Sequence, residues 1–134
     1  MTQKELTIQN LGQSLDDLMN LDPRGYGVCK ILYDASRRYT GEPLTANAAK
    51  KLKAALIPGD YVYIITGFVL RPFASAETDG IIGSILLARS LVKAFAVRPV
   101  IVCQEENIPA VKGLSRLVGL HFFDSVEKMG DIPA

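Results

Sequence analysis

The stretch that decides the fold runs Tyr61-Val62-Tyr63-Ile64-Ile65-Thr66-Gly67-Phe68, and after a short loop it continues as Glu77-Thr78-Asp79-Gly80. The first part is β-branched and aromatic, which predicts a strand, and Gly67 marks a turn at its end. The second part places acidic and hydroxyl residues before a segment of helical periodicity. This order puts polar side chains and helix N–H groups at the carboxyl edge of a parallel sheet, where ligands bind in open α/β folds.

The size and charge of the chain exclude several classes of protein. Its 134 residues fit one domain, and 15 Lys and Arg against 14 Asp and Glu give a formal net charge of +1. No run of like charge predicts a nucleic-acid arm or a polybasic membrane anchor. The longest apolar run is about half of the roughly 20 residues that span a bilayer. We therefore predict a single domain over residues 1–134, with neither nucleic acid nor membrane as a partner.

The cysteines indicate a reducing compartment. Cys29 and Cys103 lie far apart in the sequence and form no Cys-x-x-Cys pair, and His121 is the single histidine. This spacing fits neither a disulfide framework nor a zinc site. The chain is expected to be cytoplasmic, and we assign no catalytic role to Cys103 or His121.

The N-terminal part of the chain predicts three helices. Leu11, Leu15, Leu18 and Met19 recur at helical spacing, with Asp16 and Asp17 outside the stripe, which predicts a helix near 9–20. A second helix is predicted over 25–39, with Val28, Ile31, Leu32 and Ala35 as its inner stripe and Gly41 as its stop signal. Thr45 is the predicted N-cap of a third helix, which ends at Pro58-Gly59.

The C-terminal part alternates strands with helices. The strand Tyr61 to Thr66 is predicted to be central and covered on both faces, because its polarity does not alternate strictly. The next helix has Ile81, Ile85 and Ala88 on its inner face, and further strands are predicted at 99–103 and 120–123. The fold class is therefore α/β, with three layers, a short parallel sheet of at least three strands, flanking helices and an N-terminal segment of about three helices.

Five short motifs, in this order, carry a resemblance to a known family: Asp22-Pro23-Arg24-Gly25, Gly41-Glu42-Pro43-Leu44, Thr66-Gly67-Phe68, Glu77-Thr78-Asp79-Gly80 and Gly83 followed by Leu87-Ala88-Arg89. The chain resembles the D-glutamate cyclase family over roughly residues 20–123. Ile81-Ile82 stand where this family usually has prolines. The chain also stops where the family continues into a second half, so we expect it to be an amino-terminal half, truncated on its C-terminal side.

The resemblance implies a lyase that interconverts D-glutamate and 5-oxo-D-proline. The α-amine attacks the γ-carboxyl carbon and water leaves, which requires a proton acceptor, a proton donor and a clamp on the substrate carboxylates. Glu77 and Asp79 are two residues apart and can act as an acid beside a base. We assign proton transfer to Glu77, with Asp79 as its catalytic partner.

Further residues are candidates for substrate binding. The backbone N–H of Gly80 could bind a carboxylate or the developing oxyanion, and the missing Cβ of Gly67 would let a ligand approach the backbone. Hydroxyl contacts are expected from Thr66 and Thr78, and guanidinium contacts from Arg71 and Arg24. The full predicted substrate-binding set is Thr66, Gly67, Phe68, Thr78, Gly80, Gly83, Arg71 and Arg24.

Each of these residues also has a structural explanation. Thr78-Asp79 before an apolar helical run is typical of a helix N-cap. Gly83 could serve close packing of helix on sheet, and Gly67 could be a turn residue alone. Arg24 at a helix start is most often solvated. The sequence leaves these alternatives open.

The predicted ligand is a small dicarboxylate or its lactam, and no cofactor is predicted. Glu77 and Asp79 could instead hold a divalent cation through oxygen ligands, although two carboxylates do not specify which metal. A phosphate or nucleotide is disfavoured, because the loop is acidic and lacks the glycine-rich phosphate motifs.

A sheet of three strands leaves edges to cover, so we also expect a homo-oligomer or pairing with a complementary chain that carries the C-terminal half. In that alternative the protein is a non-catalytic subunit that binds a small carboxylate.

Overall fold

The computed structural model describes residues 1–73 and 75–129, and the chain divides into two compact units, residues 1–55 and 56–134. The first unit contains helices α1 (Gln3–Met19), α2 (Val28–Thr40) and α3 (Leu44–Ala55). The second contains strands β1 (Tyr61–Ile65), β2 (Val69–Leu70), β3 (Ser75–Ala76) and β4 (Arg98–Val102), with helices α4 (Thr78–Phe95) and α5 (Ile108–Leu117). The α/β class and the three N-terminal helices are confirmed, and the single domain stays a prediction.

Helix α1 begins six residues earlier than the periodicity predicts, because a capping box fixes its start. The hydroxyl of Thr2 accepts a hydrogen bond from the Glu5 backbone N–H at 3.2 Å, and the Glu5 carboxylate accepts one from the Thr2 N–H at 2.6 Å. The predicted inner residues Leu15 and Leu18 are exposed, and the buried residues of α1 are Gly12 and Asp16. The predicted orientation of this helix was therefore wrong.

Gly12 is buried because α3 crosses α1 at this point. A Cβ atom at Gly12 would lie 2.8 Å from the Cβ of Ala46 and 3.1 Å from the Cβ of Pro43. Contacts this short require the backbones to separate, so the small residue sets the distance between the two helices.

Replacing Gly12 by Ala is therefore expected to lower the free energy of unfolding by about 1–3 kcal/mol, the usual penalty for overpacking a tight site. Gly113→Ala is the matched control, since Gly113 also lies inside a helix and a Cβ there meets no described atom within 4 Å. The control should be neutral or stabilising by up to about 1 kcal/mol. Urea titration measures both, and equal effects of the two variants would contradict the role given to Gly12.

Asp16 caps α3 from outside that helix. Its side chain is 1% exposed, and its Oδ2 and Oδ1 accept hydrogen bonds from the backbone N–H groups of Leu44 at 2.6 Å and Thr45 at 3.0 Å. The hydroxyl groups of Thr45 and Tyr33 donate to the same carboxylate at 2.7 and 3.1 Å. Thr45, predicted as the N-cap, lies inside α3, since the Asp16 carboxylate supplies the acceptor that an N-cap normally provides.

Helix α2 lies between two glycines with left-handed backbone conformation. Gly27 has φ +74° and Gly41 has φ +73°, and the N–H of Gly41 closes the helix by donating to the Arg37 carbonyl. The predicted stop at Gly41 is confirmed. The predicted inner stripe is exposed, however, as Ile31 and Leu32 show.

The second unit is built on the parallel pair β1 and β4, in register from Tyr61 opposite Arg98 to Ile65 opposite Val102. On one face, Ile101 and Cys103 pack with α4 and α5 around Ile85, which is 2% exposed. On the other face Tyr63 and Ile65 are 64% and 84% exposed. Within the second unit, β1 is therefore covered on one face and not on both as predicted, and the helices of this unit form one layer on its sheet.

Over the described residues, the parallel sheet has two strands rather than three. The predicted strand at 120–123 is not formed; the Leu120 N–H instead donates to the Ser115 carbonyl at 2.8 Å, after Gly119 with φ +71°, and closes the C-terminus of α5. Strands β2 and β3 form a short antiparallel ribbon instead, between β1 and α4. Within the ranges that the structure describes, none of the helices is long and apolar enough to cross a bilayer.

Candidate functional site

A pocket of about 600 Å³ opens where β1 and β4 end. Parallel strands bring their carboxyl ends to one edge of the sheet, and α4 starts beside them. Ten residues line the pocket: Ile65, Thr66, Gly67, Phe68, Glu77, Asp79, Gly80, Val102, Cys103 and Gln104. The structure thus brings both predicted catalytic carboxylates together with four of the eight predicted binding residues.

Gly67 shapes the floor of this pocket through its backbone. It is buried, with φ +96°, a conformation that L side chains rarely adopt. A Cβ would lie 2.6 Å from the Asn107 Nδ2 and 3.1 Å from the Cβ of Cys103. Protein side chains therefore fill the space beside Gly67 into which a ligand was predicted to enter, and glycine is required here by packing and by φ.

The first turn of α4 is held close to the end of β1. A Cβ at Gly80 would lie 3.1 Å from the Thr66 Oγ1, so the helix start and the strand end are nearly in contact. The Glu77 backbone N–H donates to the Phe68 carbonyl at 3.1 Å, which ties the residue before the helix to the same loop. These two contacts place Glu77 and Asp79 on the pocket.

The two carboxylates have different local roles. Glu77 is the N-cap residue of α4, with extended backbone, and over the described residues its side chain makes no capping hydrogen bond. The Oδ1 of Asp79 accepts a hydrogen bond from the Gly80 N–H at 2.8 Å. Asp79 therefore satisfies one backbone N–H in the first turn of α4, as the structural explanation expected. Glu77 is exposed and lines the pocket without such a bond to the described part of α4, so its carboxylate is free to contact a ligand.

The other predicted binding residues lie elsewhere. Thr78 and Gly83 are exposed on α4 and are not among the described residues that line the pocket, and a Cβ at Gly83 would meet no described atom within 4 Å. The expected role of Gly83 in close packing is therefore not supported. Arg71 lines a neighbouring pocket of about 620 Å³, which shares Phe68 and Gln104 with the first. Arg24 is exposed in the first unit, so its predicted role stays a prediction.

Sequence reasoning missed the residues that follow β4. Cys103 and Gln104 line the pocket because β4 ends at the same edge as β1, and the predicted parallel pairing already contained that signal. Asn107 is buried behind them and donates from Nδ2 to the Gly67 carbonyl at 3.1 Å. No sequence pattern indicates this contact, because it depends on the loop between β4 and α5.

Cys103 and His121 remain without a catalytic assignment. Burial raises the pKa of the Cys103 thiol, which favours the protonated and weakly nucleophilic form. His121 is exposed and its ring stacks at a tilt on Phe123, 5.3 Å between centroids.

Metal binding has little support from the side chains. Throughout residues 1–73 and 75–129, no three His, Cys, Asp or Glu side chains converge in a way that could hold a metal ion. A divalent cation at Glu77 and Asp79 stays a prediction.

The family can now be assigned. Searches of curated proteins and of solved structures gave no match. The family model described as "D-glutamate cyclase-like, C-terminal" matches residues 15–129, which is most of the chain. The expectation that the chain resembles only the amino-terminal half of the family stays a prediction. Its sequence therefore makes this chain a member of the D-glutamate cyclase-like, C-terminal family.

Proposed function

We propose that the pocket at the ends of β1 and β4 binds D-glutamate and its lactam 5-oxo-D-proline and interconverts them. The observation that carries this proposal is the presence of two carboxylates, Glu77 and Asp79, on one pocket of about 600 Å³. The family match supports the same chemistry. A volume of this size is ample for a five-carbon amino acid.

Cyclisation forms one bond and breaks another. The α-nitrogen bonds to the γ-carboxyl carbon, the bond from that carbon to one of its oxygens breaks, and the oxygen leaves as water. The ammonium must first lose a proton, and the departing oxygen must gain protons. In the reverse direction, water attacks the lactam carbonyl and the amine is released.

Glu77 and Asp79 can carry these protons between them. Glu77 is the better candidate for direct transfer, because its carboxylate is not used to cap α4. Asp79 is held by the Gly80 N–H, which fixes its position as the partner group. If Glu77 and Asp79 instead hold a divalent cation, EDTA should abolish turnover and added Mg²⁺ should restore it.

The direct test is to incubate the purified protein with D-glutamate or with 5-oxo-D-proline and to follow interconversion by chiral chromatography. We expect both substrates to approach the same equilibrium mixture. L-glutamate serves as the stereochemical control. A protein that converts neither D-substrate would contradict the proposal.

A second candidate function is supported by the exposed face of the sheet. Tyr63 and Ile65 place large apolar side chains in solvent, and a two-stranded sheet has two open edges. We propose that a second copy, or a complementary chain with the family's C-terminal half, covers this face and completes the enzyme. Light scattering tests this candidate: a monomer that turns over substrate alone would contradict it.

A further inference from the structure

A buried amide behind the pocket determines which atoms of Gln104 face a ligand. The side chain of Asn107 is 3% exposed, and its Nδ2 donates two hydrogen bonds, to the Gly67 carbonyl at 3.1 Å and to the Gln104 Oε1 at 3.3 Å. The Asn107 backbone N–H also donates to the Gln104 carbonyl at 3.0 Å. The three residues therefore form one hydrogen-bonded group.

The polarity of this group follows from the Gly67 carbonyl. A carbonyl oxygen can only accept, so the Asn107 atom that faces it must be the nitrogen. The second hydrogen of that nitrogen then points to Gln104, whose facing atom must be the amide oxygen. The Gln104 Nε2 is consequently turned away from Asn107. Gln104 lines this pocket and the neighbouring one, so its amide donors are open to a ligand bound at this edge of the sheet.

We infer that Gln104 binds a carboxylate of the ligand through Nε2, and that Asn107 is the positioning residue that orients the Gln104 amide. The identity of the ligand rests on the proposed function. The charge of the pocket favours an amide in this role, since Lys or Arg would form ion pairs with Glu77 or Asp79. A neutral donor can hold a substrate carboxylate and leave both acids free.

The first test measures binding by calorimetry, independently of turnover. The probe is 5-oxo-D-proline, which has one carboxylate, and the comparison ligand is 2-pyrrolidinone, the same lactam ring without it. Gln104→Glu should weaken 5-oxo-D-proline binding by about tenfold or more, because an acceptor replaces the donor. It should leave any binding of 2-pyrrolidinone unchanged. Gln3→Glu, an equal change in charge at an exposed position of α1, should bind both ligands as the wild type does.

The second test separates positioning from direct contact. In Asn107→Asp, the new carboxylate would accept from the Gln104 Nε2 and turn the amide oxygen toward the pocket. We expect a comparable loss of 5-oxo-D-proline binding and a rise in KM larger than the fall in kcat. In a Gln104→Ala background the same change should cause no further loss, since the group through which Asn107 acts is gone.

The outcomes separate this inference from the proposed function. Binding that depends on Gln104 without any turnover would contradict the function and support the inference. Turnover together with unchanged binding by Gln104→Glu would overturn the inference and leave the function standing, and so would Asn107→Asp losses that persist without the Gln104 amide. Absence of 5-oxo-D-proline binding by the wild type at millimolar concentration would also overturn the inference. If Asn107→Asp fails to fold, the binding measured with Gln104→Glu still tests the inference, because Gln104 is exposed and its substitution does not disturb the core.

Discussion

Glu77→Gln is expected to lower kcat for the interconversion of D-glutamate and 5-oxo-D-proline by about 10²–10⁴-fold, the usual contribution of a general acid or base. Glutamine keeps the size and the polarity of the side chain but cannot exchange a proton. Because the Glu77 side chain makes no capping bond to the described part of α4, the substitution should leave the helix intact. Chiral chromatography gives the rate, and far-UV circular dichroism verifies the fold.

Asp79→Asn should also lower kcat, by at least about tenfold, since the two carboxylates line one pocket and share the proton transfers. If they act as a unit, the double variant will lose less than the product of the two single losses. Glu127→Gln, an exposed carboxylate outside the described lining of the pocket, is the matched control and should retain wild-type activity. Wild-type rates in both pocket variants would end the acid and base assignment.

The site was predictable from the sequence where it depends on short-range order. An apolar run, a glycine and an acidic helix start lie within 20 residues, and they are sufficient to place Thr66, Glu77 and Asp79 at one edge of the sheet. The position of Gln104 at this edge can also be predicted once β4 is paired in parallel with β1. Local chain geometry decides the positions of Thr66, Glu77 and Asp79, and the parallel strand pairing decides that of Gln104.

The parts that could not be predicted depend on contacts between distant residues. The periodicity predicts Asp16 on the polar face of α1, yet it is buried because the N-terminus of α3, 28 residues later, supplies donors for its carboxylate. The segment 120–123 has the composition of a strand, but the N–H of Leu120, its first residue, donates to the Ser115 carbonyl at the end of α5. Periodicity reports which face of a helix is apolar, and it does not report which face a partner will cover.

Asp16→Asn is expected to destabilise the first unit by about 2–4 kcal/mol, since a charged acceptor with several hydrogen bonds is replaced. One oxygen of the carboxylate accepts from Thr45 and the other from the Leu44 N–H. Asparagine has one acceptor oxygen, so its NH₂ group would face a backbone donor and leave it unsatisfied. Asp17→Asn, one residue away and exposed, should change stability by less than about 0.5 kcal/mol. Urea titration followed by circular dichroism measures both variants.

The same carboxylate should make the wild type sensitive to acid. Burial raises the pKa of Asp16, but hydrogen bonds from Thr45, Leu44 and Tyr33 outweigh it, so the pKa lies below its ordinary value of 3.8. Well above pH 3.8 both the folded and the unfolded carboxyl are ionised and the stabilisation is complete. Below it the unfolded state binds the proton first, so stability falls as the pH drops toward the folded pKa. The difference in free energy of unfolding between the wild type and Asp16→Asn removes the contribution of the other acidic groups, which both proteins share. A difference that stays constant from pH 6 down to about pH 2 would contradict this assignment.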